Sequence, residues 1–142
     1  MKVTKEVTFD AAHMLSNYIG KCHNLHGHTY KLQVTLEGSL NEEGNEQDMV
    51  MDFNTIKGYL EVVKNLFDHA IIFSDEEHRS SAEAELFDWA EKYEMNFVTV
   101  EGKSTSENIA SHIKGILGNL LDMMHYTVSV KLWETPTSFA EV

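Results

Sequence analysis

The chemistry-bearing residues of this chain crowd into Cys22-His23-Asn24-Leu25-His26-Gly27-His28, which holds the only cysteine and three of the eight histidines. Side chains alternate faces along a strand, so His26 and His28 project the same way with only Gly27 between them. Two neutral imidazoles held like that are half of a zinc site. A third ligand with an open fourth position would make the site catalytic, and His13 is the best placed third imidazole. Imidazole-only ligation suits zinc, which needs no redox chemistry and leaves room for a substrate oxygen. By pattern alone these histidines read equally well as surface or core residues. Cys22 reads either as a small buried hydrophobe or as a reactive thiol. Lys21 and His23 flank it, and a nearby dication would favour the thiolate, which suits a general base beside a metal better than a ligand.

Other residues carry two readings each. Asp68-His69 closes a long helix. It is either a histidine complementing the helix dipole or an acid–base pair whose carboxylate sets the imidazole tautomer. Thr105-Ser106-Glu107-Asn108 is explained as a helix start, although free amides there would also receive an anion. Glu134, in Trp133-Glu134-Thr135-Pro136-Thr137, is an exposed charge or a carboxylate that accepts paired N–H groups from a heterocycle. His23, His78, His112 and His125 take no role.

The elements that must position these residues follow from periodicity. Val3, Val7 and Phe9 alternate with polar residues as one strand, and Tyr30, Leu32, Val34 and Leu36 as a clearer one. Asn54 is placed to cap a helix carrying Ile56, Tyr59, Leu60, Val63, Leu66 and Phe67. Ser80-Ser81-Ala82-Glu83 has the form of a capping box opening a short helix. Residues 97–100 predict a strand. Ser104-Thr105-Ser106-Glu107 forms a second box before Ile109, Ile113, Ile116, Leu117 and Leu120, and Tyr126, Val128, Val130 and Leu132 alternate as a last strand. The order β-β-α-α-β-α-β suggests an α+β sandwich with helices on one face. Parity places His13 with Phe9, His26 and His28 with Tyr30, and Glu134 with Val130 and Leu132. If no bulge intervenes, all four polar groups stand at the rim of the apolar face, where a pocket is expected.

At 142 residues, 42% hydrophobic and 24% charged, the chain is expected to form one domain over 1–142. A formal charge of −12 argues against a nucleic-acid or anionic-membrane surface. One cysteine excludes an internal disulfide and any zinc ribbon. No segment reads as a signal peptide or membrane span, so a cytoplasmic protein is the default expectation.

Phe9-Asp10-Ala11-Ala12-His13, Cys22 to His28, Met51-Asp52-Phe53, Leu66-Phe67-Asp68-His69, Thr105-Ser106-Glu107-Asn108 and Trp133-Glu134-Thr135 together resemble the 6-pyruvoyl-tetrahydropterin synthase and 6-carboxytetrahydropterin synthase family. Cysteine, three residues, then His-Gly-His is the specific part. It looks like the bacterial carboxypterin-forming branch of the queuosine (7-deazaguanine) pathway. The resemblance implies the tunnelling fold, with a four-stranded antiparallel sheet backed by two main helices. Three subunits would close a barrel and two such rings would stack into a homohexamer. It also implies zinc on His13, His26 and His28, and Cys22 as the base. Asp68 and His69 of a neighbouring subunit would relay protons, and Glu134 would anchor a pterin ring with Thr105 and Ser106 nearby.

The substrate so implied is 7,8-dihydroneopterin triphosphate, giving 6-carboxy-5,6,7,8-tetrahydropterin, acetaldehyde and triphosphate. Mg²⁺ accompanying the triphosphate is left open as a second cofactor. Two other readings stay beside this one: a pyruvoyl-forming synthase that stops after triphosphate loss, and a non-catalytic zinc-binding module. The chain departs from the commoner pattern at Lys103-Ser104, where a proline often stands, and in the longer stretch from Ser74 to Lys103. Both are expected to lie away from the metal motif, at the pocket rim.

Overall fold

In the computed structural model, which describes residues 1–142, strict alternation builds the two longest strands, β1 (Lys2–His13) and β2 (His26–Glu37). They pair antiparallel without a register shift from Lys2↔Glu37 to His13↔His26. The chain continues through α1 (Phe53–Phe67), β3 (Ala70–Phe73), α2 (Ser81–Lys92), β4 (Phe97–Thr99), α3 (Ser106–Leu120), β5 (Thr127–Thr135) and β6 (Ser138–Glu141). The strands form one sheet in the order β4-β3-β1-β2-β5-β6. Neighbours β1–β2, β2–β5 and β5–β6 pair antiparallel, whereas β3 joins β1 in parallel and β4 joins β3 in parallel. The sheet is therefore mixed and six-stranded, with three α-helices, where four strands and two main helices are expected from the resemblance. The two strands absent from the periodicity reading have clear causes. Ala70-Ile71-Ile72-Phe73 is a continuous apolar run directly after a helix, which periodicity cannot separate from more helix. Strand β6 is four residues long and mostly exposed.

One face of the sheet carries the core. Phe9, Tyr30, Leu32, Val34, Leu36, Val128, Val130 and Leu132 pack beneath Ile56, Leu60, Val63 and Phe67 of α1 and Ile109, Ile113 and Leu117 of α3. Helix α2 makes a smaller cluster of its own, setting the Phe87 ring 5.2 Å from Phe73 and 5.0 Å from Phe97. No helix is long and apolar enough to cross a membrane.

Two caps sit beside their expected positions. Asp52, not Asn54, caps α1, its carboxylate accepting the Asn54 N–H at 2.7 Å. Thr105 caps α3, accepting the Asn108 N–H at 3.4 Å, one residue later than the box suggests. Ser104 cannot serve there, because it is buried and its hydroxyl donates to the Met14 carbonyl at 2.9 Å. Ser80 caps α2 as expected.

Leu60 is 1% exposed and Val62, two residues on, is 44% exposed. Leu60→Ala is expected to cost about 2–5 kcal/mol in urea unfolding, through lost burial and the cavity left behind. Val62→Ala should stay within about 0.5 kcal/mol of the parent. Equal costs would mean that α1 is not seated by this face.

Candidate metal centre and active site

The β1–β2 ladder sets His13 directly across from His26, and Ala11 across from His28. All three imidazoles therefore leave the sheet on its core face, at the end where β1 stops and β2 begins. Their ring centroids lie 4.6 Å (His13–His26), 4.8 Å (His26–His28) and 5.2 Å (His13–His28) apart. Gly27 lies between the two β2 histidines, where a Cβ would come within 3.3 Å of the Ala11 carbonyl. The His13 Nδ1–H donates to the Ser104 carbonyl at 2.7 Å, and the His26 Nδ1–H to the Asn24 carbonyl at 2.8 Å. A carbonyl only accepts, so these contacts fix the proton on Nδ1 and leave a lone pair on Nε2.

The Nε2 atoms of His13, His26 and His28 are buried and have no hydrogen-bond partner. The ligand atoms of the triad lie within 4.8 Å of one another. Buried acceptors aimed at a common point without a donor are costly, and a cation among them removes that cost. The triad is positioned to hold a metal ion, and its donor set fits one.

Burial pushes the His13 imidazole below its ordinary value of 6.5, against the opposing pull of the Ser104 carbonyl and the Glu134 carboxylate. Burial lowers His28 as well, again opposed by Glu134. Both shifts favour the neutral ring that a metal requires. Glu134 Oε1 stands 3.4 Å from His13 Nε2 and 3.7 Å from His28 Nε2, in ion-pair range but without hydrogen-bonding geometry. Its strand does contain a bulge: the β5–β6 register shifts between Trp133 and Thr135, and Glu134 is the extra residue. Pairing with β2 stays in register as far as Trp133, so Glu134 still reaches the triad. Tyr30 lies beneath, its ring 5.5 Å from His28 and its buried hydroxyl without a partner.

Cys22 is half-buried in a short 3-10 turn, Lys21–His23, whose Cys22 carbonyl accepts the Leu15 N–H at 2.9 Å. Its thiol is not among the atoms that converge with the triad. Asp68 and His69 are clamped to β1 instead. Asp68 Oδ1 accepts the Asp10 N–H at 2.9 Å, while the His69 N–H donates to the Asp10 carbonyl at 2.6 Å. This clamp holds His69 in the left-handed region at φ 60 and sets its Nδ1 3.2 Å from Asp68 Oδ2. The Asp10 amide, with a smaller contribution from His69, holds the Asp68 carboxyl below the usual range. The His69 ring is largely exposed and borders a groove of about 430 Å³ shared with Asp10, Gly27 and Thr29. His28 of the triad lines the same groove, and Cys22 does not. Thr105 and Ser106 follow directly on Ser104, whose carbonyl holds His13.

That contact corrects an expectation. Lys103-Ser104 does not stand clear of the metal motif, because Ser104 is the partner of a triad histidine. A backbone carbonyl leaves no side-chain signature, so residue pattern has no means of finding it.

A family model described as 6-pyruvoyl tetrahydropterin synthase matches residues 2–142. The 6-carboxy-5,6,7,8-tetrahydropterin synthase of Haemophilus influenzae is 41% identical over 141 residues, covering 99% of this chain and 96% of its own. The protein of the same name in Rickettsia bellii is 32% identical over 145 residues, covering 100% and 99%. Among solved structures, Plasmodium falciparum 6-pyruvoyl tetrahydropterin synthase superposes with a TM-score of 0.74 at 22% identity, covering 100% of this chain and 96% of that one. An uncharacterised Wolinella succinogenes protein gives a TM-score of 0.75 at 24% identity, covering 100% and 97%. These last two likenesses speak to the fold.

The lowered histidines set a pH dependence. With native values of His13 and His28 below 6.5, the unfolded chain binds more protons than the native one just under that pH. Stability of the metal-free protein from this source is full above 6.5 and is lost as pH falls toward the native values. Urea unfolding between about pH 7.5 and 5.5 should show a steeper decline in the parent than in the double variant His13→Ala/His28→Ala. Equal slopes would contradict the assignment.

Proposed function

Because the chain belongs to the 6-pyruvoyl tetrahydropterin synthase family, we propose that it is a zinc-dependent 6-carboxy-5,6,7,8-tetrahydropterin synthase. In this reading it converts 7,8-dihydroneopterin triphosphate and water to 6-carboxytetrahydropterin, acetaldehyde and triphosphate, as a cytoplasmic step toward 7-deazaguanines such as queuosine. The observation that carries it is the convergence of three buried, unpartnered Nε2 atoms on a chain alike over its full length to relatives named for this activity.

His13, His26 and His28 would hold zinc through Nε2. When bound, zinc supplies a Lewis acid that makes the substrate's side-chain hydroxyls more acidic and stabilises charge on a developing carbonyl. Cys22, as thiolate, takes a proton from the substrate side chain and returns it later in the sequence. Asp68 fixes the Nδ1 side of His69, leaving the other nitrogen to exchange protons with Cys22 of a neighbouring subunit. The separation of Cys22 from the His69 groove within one subunit supports that sharing. So do the two open sheet edges, β4 and β6, which assembly into three-subunit rings and a hexamer would cover. Glu134 accepts paired N–H groups from the pterin edge, with Thr105 and Ser106 beside the ring. Mg²⁺ would accompany the triphosphate, whose charge the net −12 of the chain otherwise repels.

A second reading draws on the description of the family model, which carries the pyruvoyl name. That reaction keeps all three side-chain carbons and releases triphosphate alone. Coupled detection of acetaldehyde with an alcohol dehydrogenase, beside a triphosphate assay, separates the two. Acetaldehyde released in step with triphosphate is the expected result, and triphosphate alone would favour the pyruvoyl reading. Cys22→Ala should retain zinc and lose ~10²–10⁴-fold in turnover. Unchanged turnover would remove Cys22 from the mechanism, and a parent protein that binds zinc and pterin without turnover would be a binding module.

A further inference from the structure

Five polar or charged residues of this chain are fully buried, namely His13, Ser16, Ser74, Glu83 and Ser104, each at most 1% exposed. They form one connected hydrogen-bond network. Glu83, in the first turn of α2, is the only carboxylate among them, and its partners are a hydroxyl and an amide rather than a cation. Glu83 Oε1 accepts the Ser74 N–H at 2.8 Å, and Ser74 Oγ accepts the Ser104 N–H at 3.3 Å. The Ser104 carbonyl then accepts the His13 Nδ1–H at 2.7 Å. A second arm runs the other way round. Glu83 Oε2 accepts the Ser16 hydroxyl, and Ser104 Oγ donates to the carbonyl of Met14, the residue after His13.

The histidine and the carbonyl that orients it are thus tied to a single buried carboxylate. Helix capping does not account for this burial. Ser80 accepts the Glu83 N–H at 3.2 Å, but the Ser80 N–H donates to Ser16 Oγ at 2.8 Å, so the box is not closed by Glu83. Burying a carboxylate without a cation is costly, and hydrogen bonds to both of its oxygens, from the Ser74 amide and the Ser16 hydroxyl, offset that cost. His26, by contrast, finds its Nδ1 partner locally in Asn24.

We propose that Glu83 is a positioning residue that, through Ser74, Ser104 and Ser16, fixes the orientation and tautomer of His13 for metal binding. The proposal rests on the metal reading of the triad. Outer partners of ligating histidines typically matter 10–100-fold in metal affinity, and the same range, about 10–100-fold, is expected for Glu83→Ala. Glu83→Gln keeps an acceptor for the Ser74 amide and should recover much of the loss.

The test is zinc affinity of the full chain by competition with a chromophoric chelator, for Glu83→Ala, Glu83→Gln, Ser74→Ala and His13→Ala. Val128→Ala serves as the control, since this core residue pairs with Leu36 at the opposite end of the sheet. Nitrogen NMR of the metal-free imidazoles gives a second readout: His13 protonated on Nδ1 in the parent, and a mixture of tautomers in Glu83→Ala. Weakened zinc binding with mixed tautomers in Glu83→Ala, and parent affinity in Val128→Ala, is the expected result. If Glu83→Ala fails to fold, Ser74→Ala decides, because it deletes only the acceptor of the Ser104 amide. Weaker zinc there supports the proposal and parent affinity overturns it, as does an equal loss in Val128→Ala. Loss of zinc in His13→Ala with full affinity in the Glu83 and Ser74 variants overturns the anchor alone. Full affinity in His13→Ala overturns the metal reading beneath it.

Discussion

The unbroken antiparallel register of β1 against β2 is the constraint on which the rest of the site depends. It carries Phe9 opposite Tyr30 in the core and, four residues further along β1, His13 opposite His26 at the rim. A slip of one residue would turn every side chain of one strand to the other face, removing Phe9 or Tyr30 from the core along with the histidines. Burial of the aromatic pair, whose rings stack 5.3 Å apart, therefore also fixes the spacing of the triad. The same alternation that builds an apolar face delivers three imidazoles to its end. Core packing and site geometry are one pattern read at two places along the strands.

Much of this was legible in the residues. Parity along the strands put His13, His26, His28 and Glu134 on one face, because side-chain direction in a strand depends only on counting. The count survives at Glu134 although a bulge intervenes, since the bulge lies against β6 while pairing to β2 runs unshifted through Trp133. Less legible was whatever depends on backbone partners or short buried segments. Strand β3 has no alternation to betray it, and its neighbour β4 could be placed in the sheet only once β3 was known. Ser104 looked like a helix cap because its sequence neighbours form a box. Folding instead used its amide, hydroxyl and carbonyl to join three separate segments, and Thr105 took over the cap. Glu83 gave the same impression for the same reason.

The triad also shows how the protein arranges strain around a function. Three buried Nε2 atoms lie together without hydrogen-bond partners, and a carboxylate oxygen of Glu134 stands 3.4 Å from that of His13. Alone, this arrangement destabilises the fold, and burial holds the His13 imidazole below its ordinary value. His69 in the left-handed region is a second local cost, held by the two backbone contacts of Asp10. Asp10 and His13 are three residues apart on β1, and His28 of the triad lines the same groove as His69.

Anomalous X-ray scattering at the zinc edge, from crystals of the protein as isolated, shows whether the three imidazoles hold zinc. One peak per protein chain is expected, about 2.0–2.1 Å from Nε2 of each of His13, His26 and His28, with the Cys22 sulfur outside bonding distance. A peak ligated by Cys22, or no metal at the triad in zinc-replete protein, would contradict that expectation.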